Sequence, residues 1–242
     1  MGSPIRTAIL MPAFNEQHAI GRTLGAIRDR AAALGGVRVV LVDDGSEPEL
    51  RPAVFPMPSD DFRMVVARHA VNLGQGAALE TARRLALDEP AFDVFVTMDA
   101  DGQHRVDDLA ALVSAIRQGA DIALGSRFLE RSSEIPRVRR CVLEGARLLE
   151  MALTGSRLSD AHNGFRAFSR WALAQIVLRQ NRMAHATEIT LQVHRLSKIG
   201  LRVVEVPVCI EYSEHTLRKG QRTTGAIPIL RDLLHRFLFE EG

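Results

Sequence analysis

The stretch Thr97-Met98-Asp99-Ala100-Asp101-Gly102-Gln103-His104 sets two carboxylates one residue apart, directly behind an apolar run from Phe92 to Met98. Two aspartates so close together offer hard oxygen ligands to Mg²⁺ or Mn²⁺. Such a cation takes one or two protein carboxylates and fills its remaining positions with water and substrate phosphate. Asp and Gly are also ordinary turn residues, so the motif alone leaves open a plain polar turn after a strand. The run before Asp99 is short, rich in β-branched and aromatic residues, and too brief for a helix, which makes it a buried strand. Asp99 and Asp101 therefore stand at the carboxyl end of a strand, where an open α/β sheet binds its ligands.

The remaining elements that must position this pair follow from periodicity and punctuation. Ile5 to Met11 reads as a first strand stopped by Pro12, and Pro12-Ala13-Phe14-Asn15-Glu16 as a tight turn. From Glu16 to about Leu34, Ile20, Leu24 and Ile27 recur at helical spacing, and Gly35-Gly36 ends that helix. Val37 to Val42 is a second strand closed by Asp43-Asp44-Gly45-Ser46, so strand, helix, strand opens a parallel nucleotide-binding sheet. Phe62 to Ala67 is a third strand, and Asn72-Leu73-Gly74-Gln75-Gly76-Ala77-Ala78 leads into a helix ending near Asp88. Beyond the acidic motif, Val106 to Arg117 is an amphipathic helix, and Ala120 to Gly125 is a strand closed by Ser126-Arg127. A helix from about Thr187 to Ile199 and a last strand from Leu201 to Ile210 complete the pattern.

Composition narrows the function classes. The 242 residues are 46% hydrophobic, enough for one sizeable globular α/β core. A net charge of +2 gives no whole-chain argument for nucleic acid, and none is expected as a partner. Cys141 and Cys209 are too few for a disulfide framework and lack metal-site spacing, which fits a reducing cytosol. No apolar run reaches the length of a membrane span, and Met1 to Arg6 lacks the apolar core of a signal peptide. The expectation is a cytoplasmic protein, soluble or peripheral at the inner face of the membrane. A dinucleotide-dependent oxidoreductase fits poorly. Its glycines belong after the first strand, where proline, asparagine and glutamate stand, and Leu79 replaces the third glycine of the Gly74-Gly76 pair. Gly74 and Gly76 read instead as permitting close backbone approach to a ligand or neighbouring strand, or as simple loop flexibility.

Taken together and in order, Pro12-Ala13-Phe14-Asn15-Glu16, Val42-Asp43-Asp44-Gly45-Ser46, Asn72-Leu73-Gly74-Gln75-Gly76-Ala77 and Asp99-Ala100-Asp101-Gly102-Gln103-His104 resemble the signature set of family 2 glycosyltransferases. Gly125-Ser126-Arg127 and Asn163-Gly164-Phe165-Arg166 continue the resemblance, which spans nearly the whole chain and leans toward polyprenol- and dolichol-phosphate sugar synthases. It implies a single GT-A domain over residues 1–242, a Rossmann-like mixed sheet flanked by helices. It also implies a UDP- or GDP-linked sugar donor, a divalent metal and inversion at the anomeric carbon. Carried onto this chain, it implies that Pro12, Ala13, Asn15 and Glu16 cradle the nucleotide, with Asp43 on the base. Asp44, Gly74, Gly76 and Ala100 complete that group. Asp99 and Asp101 would sit at the sugar diphosphate and metal, with Gln103 as a further candidate ligand. Many relatives carry lysine or arginine where Gln75 stands, so no side-chain cation is expected on the diphosphate there.

The acceptor side leaves alternatives. Phe128 to Arg140 is polar and arginine-rich and resembles an acceptor loop, set at about 127–140, in which Arg137, Arg139 and Arg140 suit an anionic phosphate; the same stretch could be a solvated basic loop. Arg166, Arg218 and Arg222 are further acceptor candidates, and Arg127 is a catalytic one. A hydroxyl acceptor requires a base, for which Asp160 and Glu188 compete, Asp160 also being able to orient a ligand or cap a turn. A phosphate acceptor is already ionised and requires none. His162, His185, His194 and His215 form no metal spacing and read as structural or exposed. An amphipathic helix over about 226–239 carries Leu230, Leu233, Leu234, Phe237 and Leu238 on one stripe. It could cover its own domain, pack on another copy or a membrane protein, or lie on lipid. The acceptor expected from the resemblance is a polyprenyl phosphate; the alternatives are a glycan or small-molecule hydroxyl acceptor, or a protein that binds a nucleotide sugar without turnover.

Overall fold

The computed structural model describes residues 6–129, 158–160, 163–181 and 184–211. Within them the chain forms β1 (Thr7–Ala13), α1 (Ile20–Arg30), β2 (Val37–Asp43), β3 (Phe62–Arg68), α2 (Gln75–Leu87), β4 (Val94–Thr97), α3 (Leu109–Arg117), β5 (Ile122–Ser126), β6 (Arg166–Ser169), α4 (Arg170–Gln175), α5 (Ala184–Lys198) and β7 (Val203–Pro207). The strands make one seven-stranded sheet in the order β3-β2-β1-β4-β6-β5-β7. β6 runs antiparallel to both of its neighbours and every other pairing is parallel.

Both faces of the sheet are covered, as its near-continuous apolar strands require. Along β1, Ile9 and Met11 join one core cluster with Leu24 and Ile27 of α1 and Leu112 and Val113 of α3. Ala8 and Leu10 point the other way, into a cluster with Ala78 and Ala82 of α2, Leu173 of α4 and Val193 of α5. The small residues of α2 bring that helix close to β1 and β2, so its first turn lies over the carboxyl ends of the central strands.

Two elements depart from the sequence reading. Pro12 does not stop β1, which pairs with β2 as far as Ala13. The Met98 amide donates to the Leu10 carbonyl, so Leu10, and Pro12 two residues on, face β4, whose ladder with β1 ends at Leu10 and Thr97. The missing proline N–H therefore falls where no partner strand remains. The second departure is β6, a strand within a stretch that the sequence reading placed on the acceptor side without assigning it an element. Its four residues insert in the middle of the sheet, Thr97 pairing with Arg166 and Leu124 with the same residue on the other side. The acceptor-side stretch 163–165 is thereby pinned beside the end of β4.

Candidate active site

Strand order reverses between β1, which leads outward to β2 and β3, and β4 on its other flank. A cleft of about 390 Å³ opens at the carboxyl ends there. Pro12, Ala13, Glu16, Asp44, Gly74, Asp99, Ala100 and Asp101 of the quoted motifs line it, and Phe14, Asn72, Gln75 and Ala78 line it as well. Phe14 is 44% exposed, an unusual position for a large aromatic and one that offers a face to a bound ring. Asn15 is not a lining residue. Its backbone is left-handed at φ 57°, its amide donates to the Ser46 hydroxyl at 2.9 Å, and its side-chain oxygen accepts from the Glu47 amide at 2.9 Å. Asn15 thus ties the loop after β1 to the loop after β2.

The two acids that end β2 have separate jobs. Asp43, expected on the base, is 2% exposed and absent from the cleft lining. It accepts from the Ser46 amide and pairs with the Arg68 guanidinium. Burial pushes its carboxyl up, but the Ser46 hydroxyl and amide and the Arg68 guanidinium outweigh that and hold it below the ordinary carboxylate value. Asp44 faces the cleft, and it also accepts from the amides of Leu73 at 2.9 Å and Gly74 at 2.8 Å and contacts His69 Nδ1 at 2.7 Å. His69 reaches on to the Thr81 hydroxyl at 3.0 Å, which locks the loop before α2 to the helix itself. No sequence signal distinguished the two adjacent acids or singled out His69. The close approach foreseen for Gly76 is to protein: a Cβ there would collide with the Gln180 carbonyl and crowd His185.

Asp99 and Asp101 come together at the floor of the cleft. Asp99 is approached by the Gln75 amide at 2.8 Å and by His104 Nε2 at 3.4 Å. Burial raises its carboxyl, but the His104 hydrogen bond, the charge carried by His104 and His185 and the Arg166 guanidinium together set it below its ordinary value. Asp101 goes the other way: burial first, and then the negative charge of Asp99, raise it, against the opposing hydrogen bonds of Gln103. Gln103 donates its backbone amide and its side-chain amide to Asp101 at 2.9 and 2.7 Å. That side chain, a candidate ligand by motif, is thus engaged with the carboxylate. Two half-buried carboxylates whose charges repel each other fit a divalent metal, which would relieve that repulsion. No cluster of three or more His, Cys, Asp or Glu able to hold a metal exists among the described residues. A pair alone suits an ion that shares its shell with diphosphate and water.

On the acceptor side the carboxylates are engaged by protein donors. Asp160, 6% exposed, takes the Arg127 Nε at 2.7 Å, its Nη2 at 2.6 Å, its backbone amide at 3.1 Å and the Asn163 side chain at 3.4 Å. These bonds hold Asp160 to Arg127 and to the turn at Asn163. Arg127 is correspondingly committed to Asp160. The Ser126 and Ser159 hydroxyls lie 2.6 Å apart, and Ser159 donates its amide and hydroxyl to Glu205 of β7, each at 2.7 Å. Glu188 accepts from the amides of Arg179 and Gln180 at 3.0 and 2.9 Å and so holds the loop that packs on Gly76. Arg166, buried in β6, acts electrostatically on Asp99 and therefore sits with the metal-side acids. Arg137, Arg139, Arg140, Arg218, Arg222 and the helix over 226–239 lie outside the described residues. Among the described residues no helix is long and apolar enough to cross a membrane.

A parallel nucleotide-binding half, a reversed strand beside it and paired acids at the switch point define a GT-A glycosyltransferase. The model of Glycosyl transferase family 2 matches residues 8–177, and the chain belongs to that family. It is 30% identical over 237 residues to an uncharacterized protein of Methanocaldococcus jannaschii, covering 96% of this chain and 92% of the relative. It is 28% identical to the undecaprenyl-phosphate mannosyltransferase of Micrococcus luteus, over 92% of this chain and 90% of that one. Among solved structures, glucosyl-3-phosphoglycerate synthase from Mycobacterium tuberculosis in complex with Mn²⁺ and uridine-diphosphate-glucose superposes with a TM-score of 0.65. It is 20% identical and covers 96% of this chain and 79% of that one. The first two comparisons bear on ancestry and the third on fold.

Proposed function

We propose that this family 2 glycosyltransferase moves a sugar from a nucleoside-diphosphate sugar to a polyprenyl phosphate, with inversion and with Mg²⁺ or Mn²⁺. The observation that carries the acceptor is the engagement of both Asp160 oxygens by Arg127, with Glu188 turned through Oε2 to the amides of Arg179 and Gln180. A hydroxyl acceptor loses a proton as it attacks and needs a positioned base. A phosphate monoester arrives already ionised, so a site whose Asp160 is paired with Arg127 through both oxygens suits it. The same pairing disfavours Asp160 as the nucleophile of a covalent glycosyl-enzyme, which supports a single displacement. The similarity to an undecaprenyl-phosphate mannosyltransferase over nine-tenths of the chain points to the same class of acceptor.

On the donor side, Phe14 would face the base, and Asp44 with Glu16 would line the nucleoside pocket. Asp99 and Asp101 would hold the metal, which when bound supplies Lewis-acid stabilisation of the charge gathering on the departing diphosphate. Gln75 brings no positive charge, but Gly74 and Gln75 place the amino end of the 13-residue helix α2 at the cleft, and a helix amino terminus favours phosphate. The similar solved structure with Mn²⁺ and uridine-diphosphate-glucose supports a donor of this kind. The test is incubation of the purified protein with UDP- and GDP-sugars, Mn²⁺ and undecaprenyl phosphate, following nucleoside diphosphate release and lipid-linked sugar. Metal-dependent formation of both products is expected; full turnover with excess chelator would contradict the metal assignment.

A further inference from the structure

We propose that His104 is a positioning residue of the metal site, one that holds Asp99 Oδ2 so that Oδ1 is presented to the cation. This rests on reading Asp99 and Asp101 as the metal carboxylates. His104 is 6% exposed, and its ring lies 4.8 Å from that of Phe165, tilted by 37°. Its backbone is clamped on both sides: His104 bridges Ile210, and the Gln103 carbonyl accepts from the Glu211 amide at 2.8 Å. The ring is therefore fixed in place, with Nε2 3.4 Å from Asp99 Oδ2.

Two observations separate this role from packing. His104 Nδ1 is buried without a hydrogen-bond partner among the described residues, a cost that an apolar side chain of similar size would avoid. The imidazole is thus disfavoured by its surroundings except for what Nε2 does. The second observation is the crowding of Asp99 Oδ2 on its other side. A Cβ on Gly164 would come within 2.9 Å of that oxygen, so the glycine leaves just the room the carboxylate occupies. With Oδ2 confined between His104 and Gly164, the remaining oxygen, Oδ1, bonds the exposed Gln75 side chain, a partner that can swing away when a cation arrives. Hydrogen-bonded neighbours of this kind orient metal ligands, and their removal typically weakens metal affinity by about 10–100-fold.

The experiment is a Mn²⁺ titration of the whole protein with saturating UDP, by electron paramagnetic resonance, for the wild type, His104→Phe, His104→Gln and Asp101→Asn. The metal-free melting temperature and the metal dependence of transfer are recorded alongside. His104→Phe should weaken Mn²⁺ binding about 10–100-fold, melt no lower than the wild type without metal, and recover most of kcat at high Mn²⁺. His104→Gln, which keeps an N–H donor, should restore part of the affinity, and it carries the comparison should the Phe variant not fold. Wild-type Mn²⁺ affinity in His104→Phe, with Asp101→Asn impaired, overturns the role of His104 alone. A metal-free melting temperature that falls in both His104 variants in step with Mn²⁺ affinity assigns the residue to packing and overturns it too. A wild type that binds no Mn²⁺ overturns the metal site itself.

Discussion

The acids on the two sides of β4 differ in what remains for them to do. Asp99 and Asp101 are half-buried side by side, and after burial the charge of Asp99 raises the carboxyl of Asp101. On the side built by β5, β6 and α5, Asp160 has protein donors on both oxygens and Glu188 has two on Oε2. The first pair carries charge that a ligand can still satisfy, whereas the second pair has spent its charge on holding loops in place. Sequence cannot distinguish these states, because both pairs are simply acids near strand or helix ends.

The largest effect expected from breaking this contrast is on stability. Asp160→Ala takes the paired carboxylate away from the Arg127 guanidinium, 10% exposed, and should cost about 3–5 kcal/mol in urea unfolding. A small loss of stability with a large loss of kcat would instead place Asp160 in the chemistry. Next comes Asp101→Asn, expected to lower metal-dependent transfer by about 10²-fold or more while the metal-free protein melts no lower, because one of two repelling charges is gone. Near-normal turnover in that variant would remove Asp101 from the metal site.

Asp43→Asn should cost about 1–3 kcal/mol at neutral pH through the donors it leaves poorly matched, with little change in UDP affinity by calorimetry, whereas Asp44→Ala should weaken UDP binding. The sign of the pH dependence follows from the lowered carboxyl of Asp43. Its contribution is full above the unfolded value of 3.8 and is lost as pH falls through the lower folded one, so the gap between wild type and Asp43→Asn should narrow below about pH 4. A gap that persists unchanged in acid would contradict the ion pair with Arg68. The smallest effect is expected for Glu188→Gln, whose side-chain oxygen can still accept from residues 179 and 180. The rate should stay within a few-fold of wild type, against the loss of about 10²–10⁴ that removal of a general base brings.

Much of the donor half was legible because its acids and glycines follow apolar runs whose length marks them as strands. The reading failed where a local rule met a tertiary exception. Pro12 was taken as a stop, yet it sits on the one edge of β1 that β4 has already left. Strand β6 offered only Arg166-Ala167-Phe168-Ser169, too short for any period and opened by a charge, and it is a strand because two neighbours bond it. Asp43 and Asp44, both expected at the nucleotide, differ in that only Asp44 lines the cleft, because successive residues at a strand end point to opposite sides and the sequence does not say which side is the cleft. His104 was part of the quoted motif, but its role depends on Gly164 and Phe165, sixty residues away in sequence and adjacent only through β6.

The central claim is that the acceptor brings its own negative charge, because Asp160 is held by Arg127 and not available as its base. The direct measurement compares undecaprenyl phosphate with undecaprenol, the same chain ending in a hydroxyl, at equal concentration in the same detergent with donor and Mn²⁺. The account predicts sugar transfer to the phosphate and none above background to the alcohol. Transfer to the alcohol, or to a soluble hydroxyl acceptor, at a rate comparable with the phosphate would contradict it.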